Sequence, residues 1–465
     1  VHFEIIGITK DDKEINLDSA KIYSGRNAGI CYMKDSFYAD AIQDKDKALA
    51  RFNATSQTGH HSISDHIKIE ILFENISKAL AIVLNSLQDY ATSEKSGRYT
   101  EMQGSTEQEV KLYNKWKDIF RSKILEEYPE TDDSMLEQKI KAWVNKDESL
   151  KSYIDRLSIK DGKLEDTNID IKISKQLETI KNTNKTLPSV KLAQENARYV
   201  LSVFTRSTTM GYTTSLRQWN YIYDWCMKYL DVYFYRENKL WLKEENRQAS
   251  YFEEQLFLDL QDLAEFLYNN IYIEQLRDTK NRCFDFLTTL SGEYYHPMSY
   301  YTPADDVIAD SYQVSYYGSF VQIAQAERHR TLKYFIKYDE DLQMYYTPEI
   351  IKGTKYEEEW LNDLKSISYL VPQATQVLII ETGHISDFVL KCEERLCKRA
   401  QLEVMKQTKA TAERFYNNSD NLSSAGKVYM SKFVDRNGNI QTKCQMLGTC
   451  HEPCNKVTDA LSRRI

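Results

Sequence analysis

An order of structural patterns that occurs twice constrains this chain more than any other feature of its sequence. In the first cycle, Ile67–Phe73 alternates apolar and polar residues, the period of a half-buried strand. Asn75–Tyr90 then reads as an apolar-faced helix, order resumes at Ala197–Leu201, and a long aromatic helix covers Leu216–Tyr235. The second cycle runs through Tyr312–Lys333, a charged middle, Tyr369–Pro372, a strand-like Val377–Glu381 and a helix over Phe388–Arg414. The shared order of elements in this α+β pattern suggests an internal duplication, which periodicity alone does not establish.

The remaining segments fill in around these cycles. Residues 1–30 carry short β-type patterns, including Phe3–Ile8, and Asp44–Phe52 is helical in pattern. Residues 107–190 are rich in Lys, Glu, Asp and Asn, with Trp116, Ile119, Phe120, Ile124 and Leu125 at helical spacing. They read as a charged helical insertion containing a polar, mobile stretch around Lys160–Lys185. Glu244–Phe286 is amphipathic, with Phe252, Leu256, Leu258, Leu260, Leu263 and Phe266 as its apolar positions. Gly292–Asp310, with Pro297 and Pro303, reads as a loop between halves. The expected division is therefore 1–106 and 191–290 for the first half, 107–190 for the insertion, 291–416 for the second half and 417–465 for a polar, cysteine-containing tail.

Charge and cysteine usage narrow the function. A net charge of −8 argues against a nucleic-acid-binding surface, although a local arginine cluster can still hold a phosphate. No run of 18 apolar residues exists, so no membrane span is expected, and the opening segment VHFEIIGITKDDKEI lacks the basic-then-apolar plan of a signal peptide. Eight scattered cysteines are too sparse for a disulfide scaffold, which favours a reducing cytoplasm.

Chemistry-bearing motifs fall inside both cycles. The first contains Gly59-His60-His61-Ser62-x-x-Asp65-His66, then Glu94-Lys95-Ser96-Gly97-Arg98-Tyr99, then Ala197-Arg198-x-Val200-Leu201, then Ser215-Leu216 and Asn220-Tyr221-Ile222. The second contains Gln325-Ala326-Glu327-Arg328-His329-Arg330, then Leu370-Val371-Pro372-Gln373, then Arg395-Leu396-Cys397-Lys398-Arg399-Ala400-Gln401-Leu402-Glu403. A lone Arg-His-Arg is usually a solvated helix face, and Gly-His-His-Ser is usually a turn with a capping serine. Their joint occurrence with Gln325, Arg98 and Arg395 gives them weight.

Together these segments resemble the flavin-dependent thymidylate synthase family, whose pattern is GHxSxxEH, QxxRHR, ExSxRY, ARxVLP, SLxNFL and LRxxxxAQWE. The resemblance covers roughly residues 25–105, 190–230 and 315–410. The motifs are divided between the halves. Ser86-Leu87-Gln88 stands where the first half should carry Arg-His-Arg, and its later arginine position falls near Trp225. In the second half Ile336, Tyr338 and Glu340 occupy the ExSxRY positions, and Ser368 replaces the arginine of ARxVLP. In this family each active site is built between subunits of a homotetramer, and the surviving motifs divide along that same line.

The resemblance implies an α+β chain of two synthase-like halves in tandem, each with a mostly antiparallel sheet and long helices, one composite site per chain, and a homodimer that mimics the tetramer. Gln325, Arg328, Glu94, Ser96, Gly97, Arg98 and Arg198 would hold dUMP or a related pyrimidine nucleotide. Arg395 would stabilise charge developing on the pyrimidine. His60, Ser62, Asp65, Glu94, Asn220, Arg328, His329 and Arg330 would hold FAD, with Asp65 shorter than the family's usual glutamate. The implied reaction is reductive methylation of dUMP to dTMP with methylenetetrahydrofolate as carbon donor and NADPH as reductant. One rival reading is a pyrimidine-nucleotide hydroxymethylase or related methylase on the same scaffold. Another is a catalytically silent nucleotide- or flavin-binding scaffold whose insertion docks a partner. Separately, Cys444, Cys450, His451 and Cys454 offer soft ligands of the type zinc accepts, although adjacent Cys450 and His451 rarely serve one ion, and free side chains on a polar tail are the plainer reading. Cys392 and Cys397 read as packing residues.

Overall fold

The structure is a computed structural model that describes residues 1–8, 16–29, 44–57, 61–86, 90–96, 104–127, 133–160, 163–166, 168–183, 189–237, 250–277, 311–328, 332–397, 400–417, 431–445 and 464. It opens with strand β1 (His2–Ile8), helix α1 (Leu17–Gly29) and helix α2 (Lys45–Gln57). Gly25 makes the α1–α2 crossing possible, since a Cβ there would sit 2.0 Å from the Ala48 carbonyl oxygen. Strand β2 (Lys68–Ile76), helix α3 (Lys78–Asn85) and strand β3 (Tyr90–Glu94) follow. The charged region holds α4 (Glu107–Glu127), α5 (Asp133–Val144), the short hairpin β4 (Ile159–Lys160) and β5 (Lys163–Leu164), α6 (Ile171–Thr183) and α7 (Ser189–Ala197). A 3-10 turn over Arg198–Val200 leads into β6 (Thr208–Ser215), α8 (Leu216–Glu237) and α9 (Tyr251–Asn270).

The second cycle consists of β7 (Ser311–Ser319), α10 (Phe320–Ala326), β8 (Lys333–Lys337), α11 (Lys355–Ser366), a 3-10 turn over Ser368–Leu370, β9 (Gln376–His384), α12 (Ile385–Arg395) and α13 (Leu402–Asn417). The fold is α+β with antiparallel pairing throughout, in sheets ordered β1-β2-β6-β3 and β7-β9-β8.

The register makes the two cycles comparable residue by residue. The last residue of each central strand faces the first residue of its neighbour: Lys68 opposite Ser215, and Ser311 opposite His384. Five positions earlier on the central strand, Met210 faces Glu94 and Ile379 faces Ile336. The helix after each first strand is capped by a serine, Ser77 for α3 and Ser319 for α10, whose hydroxyl accepts a backbone N–H. Asn75, at φ 55, marks the one-residue bulge that distinguishes β2 from β7.

The cycles also join directly. Ser202 and Pro372 form an isolated β-bridge, Val203 N–H donates to Val371 O at 3.0 Å, and Ala374 N–H donates to Tyr199 O at 2.9 Å. One apolar core runs under both sheets, from Ile69, Ile71 and Phe73 to Val377, Ile379 and Phe388, with Phe252 stacked on Tyr338 at 4.4 Å between them. The ends of α9 matter to this joint. Ser250 and Glu253 close a capping box at its N-terminus. Ser250→Ala should cost about 1 kcal/mol and show as faster amide exchange through the first turn of α9; unchanged exchange there would mean that packing alone sets this end.

Several sequence readings are corrected here. Leu17–Gly29 is helix, not β-type, because Ala20, Ser24 and Gly25 make a small-residue face that packs against α2. Thr208–Ser215, without a strand assignment in the sequence, is the centre of the first sheet, and Tyr90–Glu94, at the end of the expected helix, is its edge. Ile171–Thr183 is ordered helix within the stretch read as mobile: Ile173 and Leu177 are buried against Leu136, Ile140 and Val144 in a small core of their own. Helix α4 does not share that core. Its Trp116 and Phe120 pack against Trp360 of α11, at 4.7 and 5.5 Å between ring centroids. From the tail, Phe433 and Ile440 enter the main core. The Gly292–Asp310 loop assignment lies outside the described residues, as do Cys450, His451 and Cys454; Cys444 is half-buried. Among the described residues no helix is long and apolar enough to cross a membrane.

Candidate functional site

The C-terminal end of α10 meets the open end of β3, and the meeting is electrostatic. Arg328 Nη1 donates to Glu94 Oε2 at 3.2 Å, and its Nη2 donates to Thr92 O at 3.4 Å. The Glu94 carboxylate also accepts from Lys78 Nζ and from Asn85 Nδ2 at 3.1 Å, both on α3. The side chain of Glu94 is only 4% exposed, whereas that of Arg328 is 33% exposed. Burial pushes the Glu94 carboxyl up, but Lys78, Arg328 and Asn85 outweigh it and hold it below the usual carboxylate range. Arg328 is therefore a half-exposed forked cation fixed at one edge by a buried anion. Its side chain keeps about a third of its surface exposed, so part of the cation remains open to an external anion.

A second link runs through Glu403, at the start of α13. Its carboxylate accepts from Ser319 N at 3.0 Å, Ser319 Oγ at 2.7 Å and Tyr199 Oη at 2.7 Å. Burial raises its pKa, opposed by those donors and by the nearby Arg198 guanidinium. Gln401 Nε2 donates to Tyr199 Oη, and Gln401 N–H donates to Gln325 Oε1 at 3.1 Å. Arg395, at the end of α12, donates from Nη2 to Gln325 O at 3.2 Å. Gln325 is thus held from two sides, and Arg198 is drawn to the second half by Tyr199, its neighbour in the chain.

The structure brings together Glu94, Arg328, Gln325, Arg395 and Arg198, five of the residues singled out by motif. Ser96 follows two residues after Glu94. Gly97, Arg98, His60, His329 and Arg330 lie outside the described residues. Ser62 and Asp65 stand elsewhere, on a 3-10 turn at the far end of the first sheet. Five residues of β6 separate Ser215, which donates to Asp65 Oδ1 at 2.9 Å, from the level of Glu94, a span of about 17 Å. Ser62 is exposed there, and Asp65 also pairs with Arg217 at 2.7 Å. Asn220 is fully buried. Its Nδ2 donates to Leu216 O and its Oδ1 accepts from Ile273 N–H at 2.7 Å, so its amide ties α8 to the following turn instead of facing a cofactor.

Register also tests the expected losses. Ser86 and Arg328 each lie nine residues beyond their helix-capping serines, a spacing compatible with the expected Ser86-for-Arg328 match. Ile336 faces the strand position equivalent to that of Glu94. The 3-10 turns Arg198–Val200 and Ser368–Leu370 correspond. Cys226, next to the expected Trp225, and Arg395 each lie eleven residues beyond the ends of β6 and β9.

Sequence reasoning missed Lys78, Asn85, Tyr199, Gln401 and Glu403 as site residues. Tyr199, Gln401 and Glu403 sat inside recognised motifs, and their hydrogen-bonding side chains were the available signal. Nothing local marks Lys78 or Asn85, because their roles arise from tertiary contact with Glu94.

Thr92 Oγ1 and Gln401 Oε1 are buried without a hydrogen-bond partner among the described residues. Residues 9–229 match the family model described as thymidylate synthase complementing protein. No curated protein matches the chain.

Proposed function

Because residues 9–229 match the family model described as thymidylate synthase complementing protein, we propose that the chain methylates dUMP to dTMP at a composite site built from both of its halves. The Glu94–Arg328 ion pair carries this reading, because it unites the motif that survives only in the first half with the one that survives only in the second. The equal register of the two sheets supports treating residues 291–416 as a second, diverged copy of the first half.

In this reading Arg328, Arg198 and Arg98, with Gln325 and Ser96, hold the nucleotide, their forked donors matching phosphate oxygens. Glu94, kept ionised by Lys78, orients Arg328. Arg395 lies beside the pyrimidine and stabilises negative charge as C5 becomes nucleophilic. FAD, reduced by NADPH, would supply the hydride, and methylenetetrahydrofolate the carbon. Arg328, His329 and Arg330 would hold the flavin, with His60, Ser62 and Asp65 serving a more distant part of it or the site of a partner chain in a homodimer. Cysteine is not needed as a nucleophile, and burial pushes the Cys226 and Cys392 thiols well up, away from the reactive thiolate.

The test is anaerobic incubation with dUMP, methylenetetrahydrofolate and NADPH, followed by mass analysis of the nucleotide. A gain of one methyl group is expected; a hydroxymethyl product would reassign the reaction, and an unchanged nucleotide would leave a binding scaffold. Flavin should saturate close to one per chain. Two equivalent flavins per chain would contradict a single composite site.

A further inference from the structure

Between α3 and α10 lies an acid that the reaction as described leaves unused. Glu327 caps the C-terminus of α10 and is 2% exposed. The groups facing it are Lys78 and Ser86 from the α3 segment, Glu94 from β3, Tyr334 from β8, and Arg328 beside it in the chain. Neither carboxyl oxygen has a hydrogen-bond donor among the described residues. Ser86 Oγ donates to Ile82 O at 2.8 Å. A buried carboxylate with no hydrogen-bond partner is costly, so this setting favours the protonated carboxyl. The register gives the same answer independently. Glu327 and Asn85 each lie eight residues past their capping serines, so the matching position of the other half holds a neutral amide.

We propose that Glu327 is a further residue of the site, a neutral acid whose retained proton leaves Arg328 free to bind the anionic phosphate of the nucleotide. With Glu327 neutral, Lys78 and Arg328 face one anion, Glu94, and the cluster keeps one positive charge. With Glu327 ionised, the cluster has no net charge, and Arg328 is held by two carboxylates. Burial, together with the Glu94 charge, raises the Glu327 pKa well above the ordinary value, against the pull of Lys78, Arg328 and the Ser86 hydroxyl. Nucleotide affinity should therefore fall as pH rises through that pKa. The inference rests on the nucleotide-binding reading above.

Two measurements on flavin-loaded protein test it. The first is infrared spectroscopy as pH rises from 7, with the difference between wild type and Glu327→Gln assigning the band, because burial also raises the pKa of Asp259, to about 6, and of Glu403. A protonated carboxyl band is expected, absent from Glu327→Gln and shifted in Ser86→Ala, which serves if the first variant fails to fold. Absence of the band, or a band untouched by either variant, overturns the proposal. The second is dUMP titration at pH values on either side of the one at which the wild-type carboxyl band disappears. Wild type should weaken by up to about tenfold per pH unit once Glu327 ionises, while Glu327→Gln holds one affinity across the range. Equal pH slopes in both proteins overturn the role of Glu327. Failure of wild type to bind dUMP at any pH overturns the nucleotide reading itself, and the infrared result stands apart from it.

Discussion

Arg395→Ala should retain its flavin and lose two to three decades in nucleotide methylation. Removing one preorganised donor aimed at developing charge costs about 3–4 kcal/mol in the transition state, equivalent to about 100–1,000-fold in rate. The expected separation of binding from chemistry follows from where Arg395 is held. Its Nη2 rests on the carbonyl oxygen of Gln325, while the ion pair that fixes Arg328 belongs to a different set of residues. Truncating Arg395 therefore leaves Glu94, Lys78 and Arg328 in place. Single-turnover kinetics on the flavin-loaded variant, with flavin absorbance as the loading control, would read this directly. Loss of flavin together with activity would make Arg395 a binding residue, and full activity would remove it from the site.

The second large effect concerns complementation. Arg198→Ala and Arg395→Ala disable opposite halves, and mixing the two inactive proteins under conditions of subunit exchange should restore no activity. The reason is that both links between halves close inside one chain: Arg328 to Glu94, and Tyr199 to Glu403. Every exchanged dimer then contains chains that are each missing one arginine from their own site. Recovery of a substantial fraction of wild-type activity would mean that the halves meet across a chain boundary in solution.

The sequence made some of this architecture readable and hid the rest for physical reasons. Strand β2 was legible because one of its faces is apolar and buried while the other carries Lys68, Glu70 and Glu74. Strand β6, with the sequence TTMGYTTS, is central yet rich in hydroxyls, and hydropathy alternation fails where the buried positions include Thr208 and Thr214. The second sheet is harder still. Where the first half buries Ile69, Phe73, Tyr212 and Ile222, the second carries Tyr312, Tyr316, Glu381 and Lys391. Both tyrosines donate to Glu381, at 2.7 and 2.9 Å, and Lys391 forms a buried ion pair with it. A charged pair inside a core looks like surface when only the sequence is visible.

Within the site, Arg328, Gln325 and Arg395 were legible because each stands in a short motif with fixed spacing. Glu94 was legible for the same reason, but its partners were not. Lys78 looks like an ordinary first-turn helix residue, and only the tertiary meeting of α3, β3 and α10 gives it a function. Asn220 shows the opposite error. Its motif position suggested a cofactor contact, while the two backbone groups that consume its amide come from Leu216 and Ile273, the second more than fifty residues away.

The backbone exchange between residues 199–203 and 371–374 has a consequence for how this site responds to dilution. In an assembly of separate subunits, a site shared between chains exists only while the subunits are associated, and its population falls with protein concentration. Here the two contributing segments are tethered by the intervening polypeptide, so each experiences the other at a fixed effective concentration, of millimolar order for flexible tethers. The pairing of Glu94 with Arg328 should then be as complete at nanomolar protein as at micromolar, whatever the chain does with a second copy of itself.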